Sequence, residues 1–519
     1  MMINAIWRWT RNFTVMKHHR YSSIVFIICC LYALSSAWFS VNTYDEGIIV
    51  TGGMRVLHGD IPHRDFASLY PYGSYYISAG LQYLFGSWYI PFRLCGSLVF
   101  AGLCTLTYLF STRIGMPSFY AILTSITTCL WCGLPHVSLR AAFLALLCAF
   151  SALYIISGTH KHKFLFSLLL LSVASVIRWD IALYGGIAWS AYCFISASLD
   201  WRMVCVYLFI IGIMTIIFPL VTLWIVGGEL AVKYAIEQTI LFPVFEFPSV
   251  RGLSFPLFLP RWNGESMADI ILASFALWGM IGVLLIAGFF YRHMRLISSN
   301  IPTTAMLLIF MICLMNQARV RSDFEHCIPA LFPFFILIFI FKSYKKFPKK
   351  NAFILTLCLV SMPVALKGKQ WFHSLSYSPY TTMWGKGMYG NNAPSYDSLV
   401  YLIQKETAPH DRIFICPQQG QSNQSNDIFL YYAAQRIPVS YFHEFHPGIT
   451  DKVMTQNHII NDCLYHKCQV IIRQHLPSVQ PVQKVNNAPA SVLDTFITRH
   501  YEKVRSINGY DIMILLPQQ

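Results

Sequence analysis

The chain has 519 residues, of which 55% are hydrophobic and 12% charged, with a formal net charge of +15. A soluble domain carries roughly 25% charged residues, so half that share, a mean hydropathy of +0.50 and repeated apolar runs of about 20 residues exclude an ordinary soluble protein and mark a polytopic membrane protein. Much of the basic excess lies in short loops between apolar runs, which assigns it to membrane topology and leaves no nucleic-acid partner to expect.

Residues 1–20 carry Arg8, Arg11, Lys17 and Arg20 and no acid, which places this end in the cytoplasm. The apolar run at 21–41 lacks a small-residue cleavage site and reads as an uncleaved anchor, so the loop 42–89 lies outside. Residues 72–86 are apolar and aromatic but short, suited to the interface or to a partly re-entrant segment. Further spans are expected at 90–111, 118–134, 139–157, 164–178, 181–198, 203–226, 267–290, 302–317, 327–341 and 351–366, about eleven in all. The loops this puts inside, 160–163, 200–202, 291–295 and 342–350, are all basic. Asp45, Glu46, Asp65, Asp180, Glu229, Glu237, Glu246, Glu265, Asp323 and Glu325 all fall on the outer side. The outer loop 227–266, rich in Phe and Pro and carrying Lys233, Arg251 and Arg261, suits a segment lying on the membrane surface near a lipid tail.

From about 367 the composition turns polar. Helices are expected at 395–406, 427–435, 450–463 and near 490–500, and strands at 412–416, 468–473, 501–506 and 510–516. That alternation describes a compact α/β domain on the outer face. The chain therefore divides into a membrane bundle, 1–366, and an extracytoplasmic domain, 367–519. Of the 15 cysteines most lie inside apolar spans, where they act as small hydrophobes. An extracytoplasmic setting would allow Cys463 and Cys468 to pair, though nothing in the sequence requires it. No internal repeat is visible, which argues against transporter folds built from duplicated halves.

Three stretches carry residues with chemical potential. Thr43-Tyr44-Asp45-Glu46 matches a capping box, which accounts for Glu46 locally and for Asp45 less well. The Gly59–Phe66 and Tyr70–Gly73 segments form a turn-rich loop holding Arg64, Asp65 and Tyr72; an interfacial Arg64–Asp65 anchor with a tyrosine belt is the plain alternative. Arg178-Trp179-Asp180 at a span end reads equally as a self-paired turn. Around Asn316–His326, a continuous helix would put Arg319, Asp323 and His326 on one face, and ionisable groups at membrane depth are functional candidates.

The run DEG, RVLHGDIPHRDF, YPYGSYY and then PFRLCGSL, with Arg93-Leu94 opening a span, resembles the start of the GT-C superfamily of polyprenyl-phosphate-sugar-dependent glycosyltransferases. The bacterial members nearest in pattern are those similar to protein O-mannosyltransferases and lipid A aminoarabinose transferases. His63 stands where tyrosine is usual, and a single Pro71 where Pro-Pro is frequent. The resemblance covers the first hundred or so residues and, loosely, the overall layout. It implies inverting transfer of a sugar from an undecaprenyl- or dolichyl-type phosphate carrier to a glycan, lipid or protein acceptor on the outer membrane face. Asp45 would be the catalytic base, with Glu46 beside it. Asp65, Arg64 and Tyr72 would serve the acceptor or a divalent cation, since some relatives use a metal and others do not. Arg319, Arg321 and His326 would hold the donor phosphate through paired donors, with Asp323, Arg178 and Asp180 in support. The setting implied is a bacterial inner membrane with the site on the periplasmic side. A lipid-linked-sugar flippase would instead place its ionisable groups near midplane, and a polysaccharide polymerase or ligase would share this topology with a larger acceptor and a lipid-pyrophosphate donor.

Overall fold

A computed structural model describes residues 20–35, 37, 41–133, 139–197, 201–246, 267–289, 300–320, 323–342, 349–375, 380–382, 385–387, 393–417, 426–446, 448–475 and 491–517. It is mostly helical, with a small sheet at the C-terminal end. The helices are α1 (Arg20–Ser35), α2 (Asp45–Leu57), α3 (Gly73–Phe85), α4 (Ile90–Arg113), α5 (Ser118–Cys132), α6 (Ala141–Ile156), α7 (Lys163–Ile177), α8 (Trp179–Ala197), α9 (Trp201–Gly212), α10 (Phe218–Ile236), α11 (Met267–Phe289), α12 (Ile301–Val320), α13 (Phe324–Lys342) and α14 (Lys349–Leu375).

A helix stands at each stretch expected to span. By length and composition, α4, the run Cys205–Glu246, α11 and α12 can cross a bilayer, while α1, α5, α6, α7 and α13 are apolar but shorter. The segment expected at the interface is α3, whose far end exposes Tyr83, Leu84 and Phe85. Two boundaries differ from expectation. The helix of the first anchor ends at Ser35. The span expected to end at 226 continues through α10 into a π-helical segment, Glu237–Glu246, with a kink at Gly228, where φ is +74°. A left-handed backbone of that kind is cheap only for glycine, so the helix changes direction there. Arg251 and Arg261 lie outside the described residues.

The bundle core is closely packed. Trp131 donates to the Leu359 carbonyl and lies against Phe275 and Phe335. Cys29, Cys104 and Cys129 meet in it, their sulfurs within 4.8 Å of one another and all three buried.

The C-terminal elements follow the expected order: α15 (Ala393–Glu406), β3 (Arg412–Pro417), α16 (Phe429–Ala434), β4 (Ile437–Pro438), α17 (Val453–Tyr465), β5 (Val470–Gln474), α18 (Val492–His500), β6 (Tyr501–Ile507) and β7 (Tyr510–Leu515), after a two-stranded hairpin β1 (Tyr380–Thr382) and β2 (Gly385–Gly387). The sheet runs β4-β3-β5-β7-β6, with β3 parallel to both β4 and β5 and with β7 antiparallel to β5 and β6. Alternate residues of a strand face opposite sides, and here the two sides have different partners. Phe414, Cys416, Ile471 and Met513 pack on α17 and α18. Ile413, Ile415, Val470, Ile472 and Ile512 join the core that is continuous with the bundle. Cys463 and Cys468 are free thiols within the outer of these cores.

What joins sheet and bundle is α16. Phe429 N donates to the Thr43 carbonyl at 2.9 Å, and Thr51 Oγ1 to the Ile428 carbonyl at 2.9 Å. Gly47 makes this possible, because a Cβ there would overlap Phe429 N and sit 2.9 Å from the Ile428 carbonyl carbon. Gly47→Ala is therefore expected to cost about 1–3 kcal/mol as an overpacked contact and to loosen the C-terminal elements from α2. Limited proteolysis should then release a C-terminal fragment sooner than from the wild type.

Candidate functional site

Asp45 opens α2, but the expected capping box does not form. The side chain of Asn42 does the work: its Oδ1 accepts from Tyr44 N (3.1 Å) and Asp45 N (2.9 Å), and its Nδ2 donates to Asp45 Oδ2 at 2.9 Å. Asparagine is as good a cap as threonine, and it leaves Thr43 free to receive α16. It also frees Glu46, which is 4% exposed and pairs with the fully buried Arg93 at 2.9 Å; Tyr89 donates to the same carboxylate oxygen. Asp45 thus stands half-exposed with one oxygen held by Asn42, while Glu46 is turned inward to bind α2 to α4.

The loop after α2 closes on itself. Asp65 Oδ2 accepts from Ile61 N at 2.7 Å, and Arg64 grips Asp65 through two nitrogens at 3.0 and 2.8 Å. His63 adopts φ +67° and is buried, with Nδ1 3.0 Å from Gln238 Oε1. Burial lowers the His63 pKa to about 4. Arg64 and Asp65 therefore satisfy each other at the loop surface. Tyr72 points elsewhere too: its hydroxyl meets the Pro219 carbonyl (3.2 Å) and Thr222, and its ring packs with Leu223 and Ala231 of α10.

The tyrosine within electrostatic reach of Asp45 is Tyr70, which the sequence did not single out. Burial pushes its hydroxyl up to about 12, with Asp45 and Glu444 pushing the same way and Arg178 and Arg140 opposing them. Four charged groups from distant parts of the chain thus lie within electrostatic reach of one hydroxyl. Arg140, just before α6, donates to Glu325 at 2.8 Å. Burial opposes its charge, but Glu325 and then Asp45 raise its pKa. Beside it run Ile49, Ser74, Ile77, Leu139, Ala141 and Leu144, lining a narrow crevice with Arg140. Arg178, between α7 and α8, forms a two-pronged pair with Asp180 at 2.9 and 3.2 Å. Burial likewise opposes its charge, while Asp180 and Tyr70 raise its pKa. Asp180 is more than a self-paired turn, because its Oδ2 also accepts from Gln317 Nε2 of α12 at 3.0 Å.

The expected continuous helix over Arg319–His326 is broken. α12 ends at Val320 and α13 begins at Phe324. Asp323 caps the new helix, accepting from His326 N (2.8 Å) and lying 2.6 Å from His326 Nδ1. An acid that can close the first turn ends the shared face, as capping competes with continuation. Arg321 and the Arg319 side chain lie outside the described residues. Even so, Gln317 and Glu325 flank this break and touch Asp180 and Arg140 respectively, which brings the 317–325 segment to the Asp45 end of the bundle.

The site is walled by the C-terminal elements. Tyr44 donates to the Phe445 carbonyl (3.2 Å), Arg55 to the Ser440 and Asp65 carbonyls (2.9 Å each), Tyr441 to the His63 carbonyl (2.7 Å), and Lys452 pairs with Glu246 at 2.8 Å. Among the described residues the carboxylates do not gather as ligands for a hard cation, which needs several convergent oxygens: Glu46 is taken by Arg93 and Asp65 by Arg64.

No family model matches the chain, and no curated protein matches it by sequence. Solved structures do. The crystal structure of ArnT from Cupriavidus metallidurans bound to undecaprenyl phosphate superposes with a TM-score of 0.56 at 11% identity, covering 96% of this chain and 99% of that one. The same protein in its apo state aligns at a TM-score of 0.48 and 12% identity over 98% of this chain and 100% of that one. Over almost its whole length, then, this chain carries the fold of that ArnT structure.

Proposed function

We propose that the protein transfers a sugar from a polyprenyl-phosphate carrier to an acceptor at the outer face of the membrane, with inversion. The observation that carries this reading is the electrostatic reach of Asp45 to Tyr70 and Arg140, with Arg178 acting on the same tyrosine, at one end of an apolar helical bundle. A base, two guanidiniums and a lipid-facing scaffold are the parts that the reaction needs. The acceptor hydroxyl attacks the anomeric carbon and gives its proton to Asp45. The bond from that carbon to the phosphate oxygen breaks, and the electron pair leaves with the polyprenyl phosphate. Arg140 and Arg178 neutralise the charge that grows on the leaving phosphate. Arg319, two residues beyond Gln317 on α12, and Arg321 are the further phosphate candidates. His326 and Asp323 set the start of α13, so that Glu325 meets Arg140. Glu46 acts through position, fixing α2 against α4 so that Asp45 faces the site, and Arg64, Asp65 and Tyr72 shape the loop that carries Tyr70. The basic loops expected inside support a reading with this end of the bundle on the periplasmic side of a bacterial inner membrane.

Arg140→Gln tests the phosphate role. Losing a charge-assisted pair should weaken undecaprenyl phosphate binding roughly ten- to hundredfold, read by fluorescence quenching in nanodiscs. Binding at the wild-type level in both Arg140→Gln and Arg178→Gln would remove these arginines from the site.

A further inference from the structure

We propose that Glu444, on the C-terminal wall, is an acceptor-binding residue whose carboxyl exchanges hydrogen bonds with a hydroxyl of an uncharged, hydroxyl-bearing acceptor. The proposal rests on the transferase reading above. Glu444 is 6% exposed. Its Oε1 has no hydrogen-bond partner among the described residues, and neither has Nε2 of the neighbouring His443, 4.0 Å away. That spacing is too long for a direct bond and right for one hydroxyl bridging both. Native proteins pair nearly all buried polar atoms, so two buried ones left unpaired side by side call for a further partner.

The carboxyl is held for such a role. Asn426 fixes the residues on either side of it, donating to the His443 carbonyl at 2.8 Å and accepting from Phe445 N at 3.0 Å. Tyr44, next to Asp45, donates to the Phe445 carbonyl. Tyr70 lies within electrostatic reach of both Asp45 and Glu444. The groups facing Glu444 are Arg55 of α2, Tyr75 of α3, Tyr70 of the loop and His443 of its own segment. Arg55 is spent on Asp60, the Ser440 carbonyl and the Asp65 carbonyl. His443 is kept neutral, since burial and then Arg55 pull its pKa well down. Burial pushes the Glu444 carboxyl up to about 8, with Arg55 opposing.

The ligand class follows from these charges. A protonated carboxyl offers one donor and one acceptor, which is the complement of a hydroxyl. Arg55, Arg140 and Arg178 disfavour an ammonium group here, and Asp45 disfavours an anion.

The test uses purified wild type, Glu444→Gln and Glu444→Leu in nanodiscs, with membranes from a strain lacking the gene as the source of acceptor and of radiolabelled lipid-linked sugar. Glu444→Leu is expected to lose about tenfold or more in transfer, the worth of a buried hydrogen bond, while undecaprenyl phosphate binding stays at the wild-type level. Glu444→Gln keeps a donor and an acceptor and should transfer near the wild-type rate. It should also hold that rate as pH rises through about 8, where the wild type declines because its carboxyl loses the proton it donates. Wild-type transfer by Glu444→Leu, equal loss of transfer and lipid binding in that variant, or the same decline through pH 8 in Glu444→Gln would each overturn the proposal while leaving the transferase reading in place. A wild type that neither transfers nor binds undecaprenyl phosphate would overturn both.

Discussion

Exchanging Asp45 for asparagine is expected to lower sugar transfer by about 10²–10⁴-fold, the share that a positioned base contributes. The amide keeps the size of the carboxylate and can still meet Asn42, so α2 retains its start. Binding of undecaprenyl phosphate should persist, because the phosphate is assigned to arginines. The expected signature is therefore a fall in kcat with the lipid affinity and melting temperature unchanged. Transfer by Asp45→Asn at a tenth of the wild-type rate or better would move the base elsewhere, with Glu444 and Tyr70 as the other proton-bearing groups at this point.

The largest stability effect is expected at Glu46 and Arg93. Both side chains are buried, 3% and 0% exposed, and they meet at 2.9 Å between α2 and α4. Breaking a buried pair by removing one partner leaves a charge with nothing to balance it, at a cost of about 3–5 kcal/mol. Arg93→Leu should therefore reduce thermal stability sharply and lower activity through loss of fold. Removing both charges, as Glu46→Gln with Arg93→Leu, should recover much of the melting temperature, since two neutral side chains owe no such penalty. A double variant no more stable than Arg93→Leu would mean that the pair adds little beyond packing. If instead Glu46 were a proton carrier, the repaired double variant would be stable but inactive, whereas the account here expects it to regain transfer.

The fold was legible where local pattern decides it. Apolar runs of helical length became helices, and the strands at 412–417, 470–474, 501–507 and 510–515 lie where alternation and β-branched content put them. The site was legible only in part, because its contacts join positions that no local window compares. Glu46 fits a capping box with Thr43 until Arg93, 47 residues on, is seen to claim it. Arg93 itself was read only as the opening of a span. Arg140 gave no signal, since a lone arginine beside an apolar run is the usual mark of a span end; its partner Glu325 lies 185 residues away. Tyr70 was hidden in a run of tyrosines, of which Tyr72 looked equally apt until α10 took it. Glu444 sits in a stretch without regular structure, and contacts across about four hundred residues, among them Tyr44 with the Phe445 carbonyl and Arg55 with the Ser440 carbonyl, hold that stretch against α2. The kink at Gly228 was missed for a simpler reason: a glycine pair in a long apolar run carries no mark of which residue turns.

The most direct measurement is a structure of this protein with undecaprenyl phosphate bound. The phosphate is expected within hydrogen-bond reach, about 3 Å, of the Arg140 or Arg178 guanidinium, with Asp45 open on the side from which an acceptor would approach. A phosphate held at the opposite end of the bundle, or one separated from Asp45 by packed protein, would contradict it.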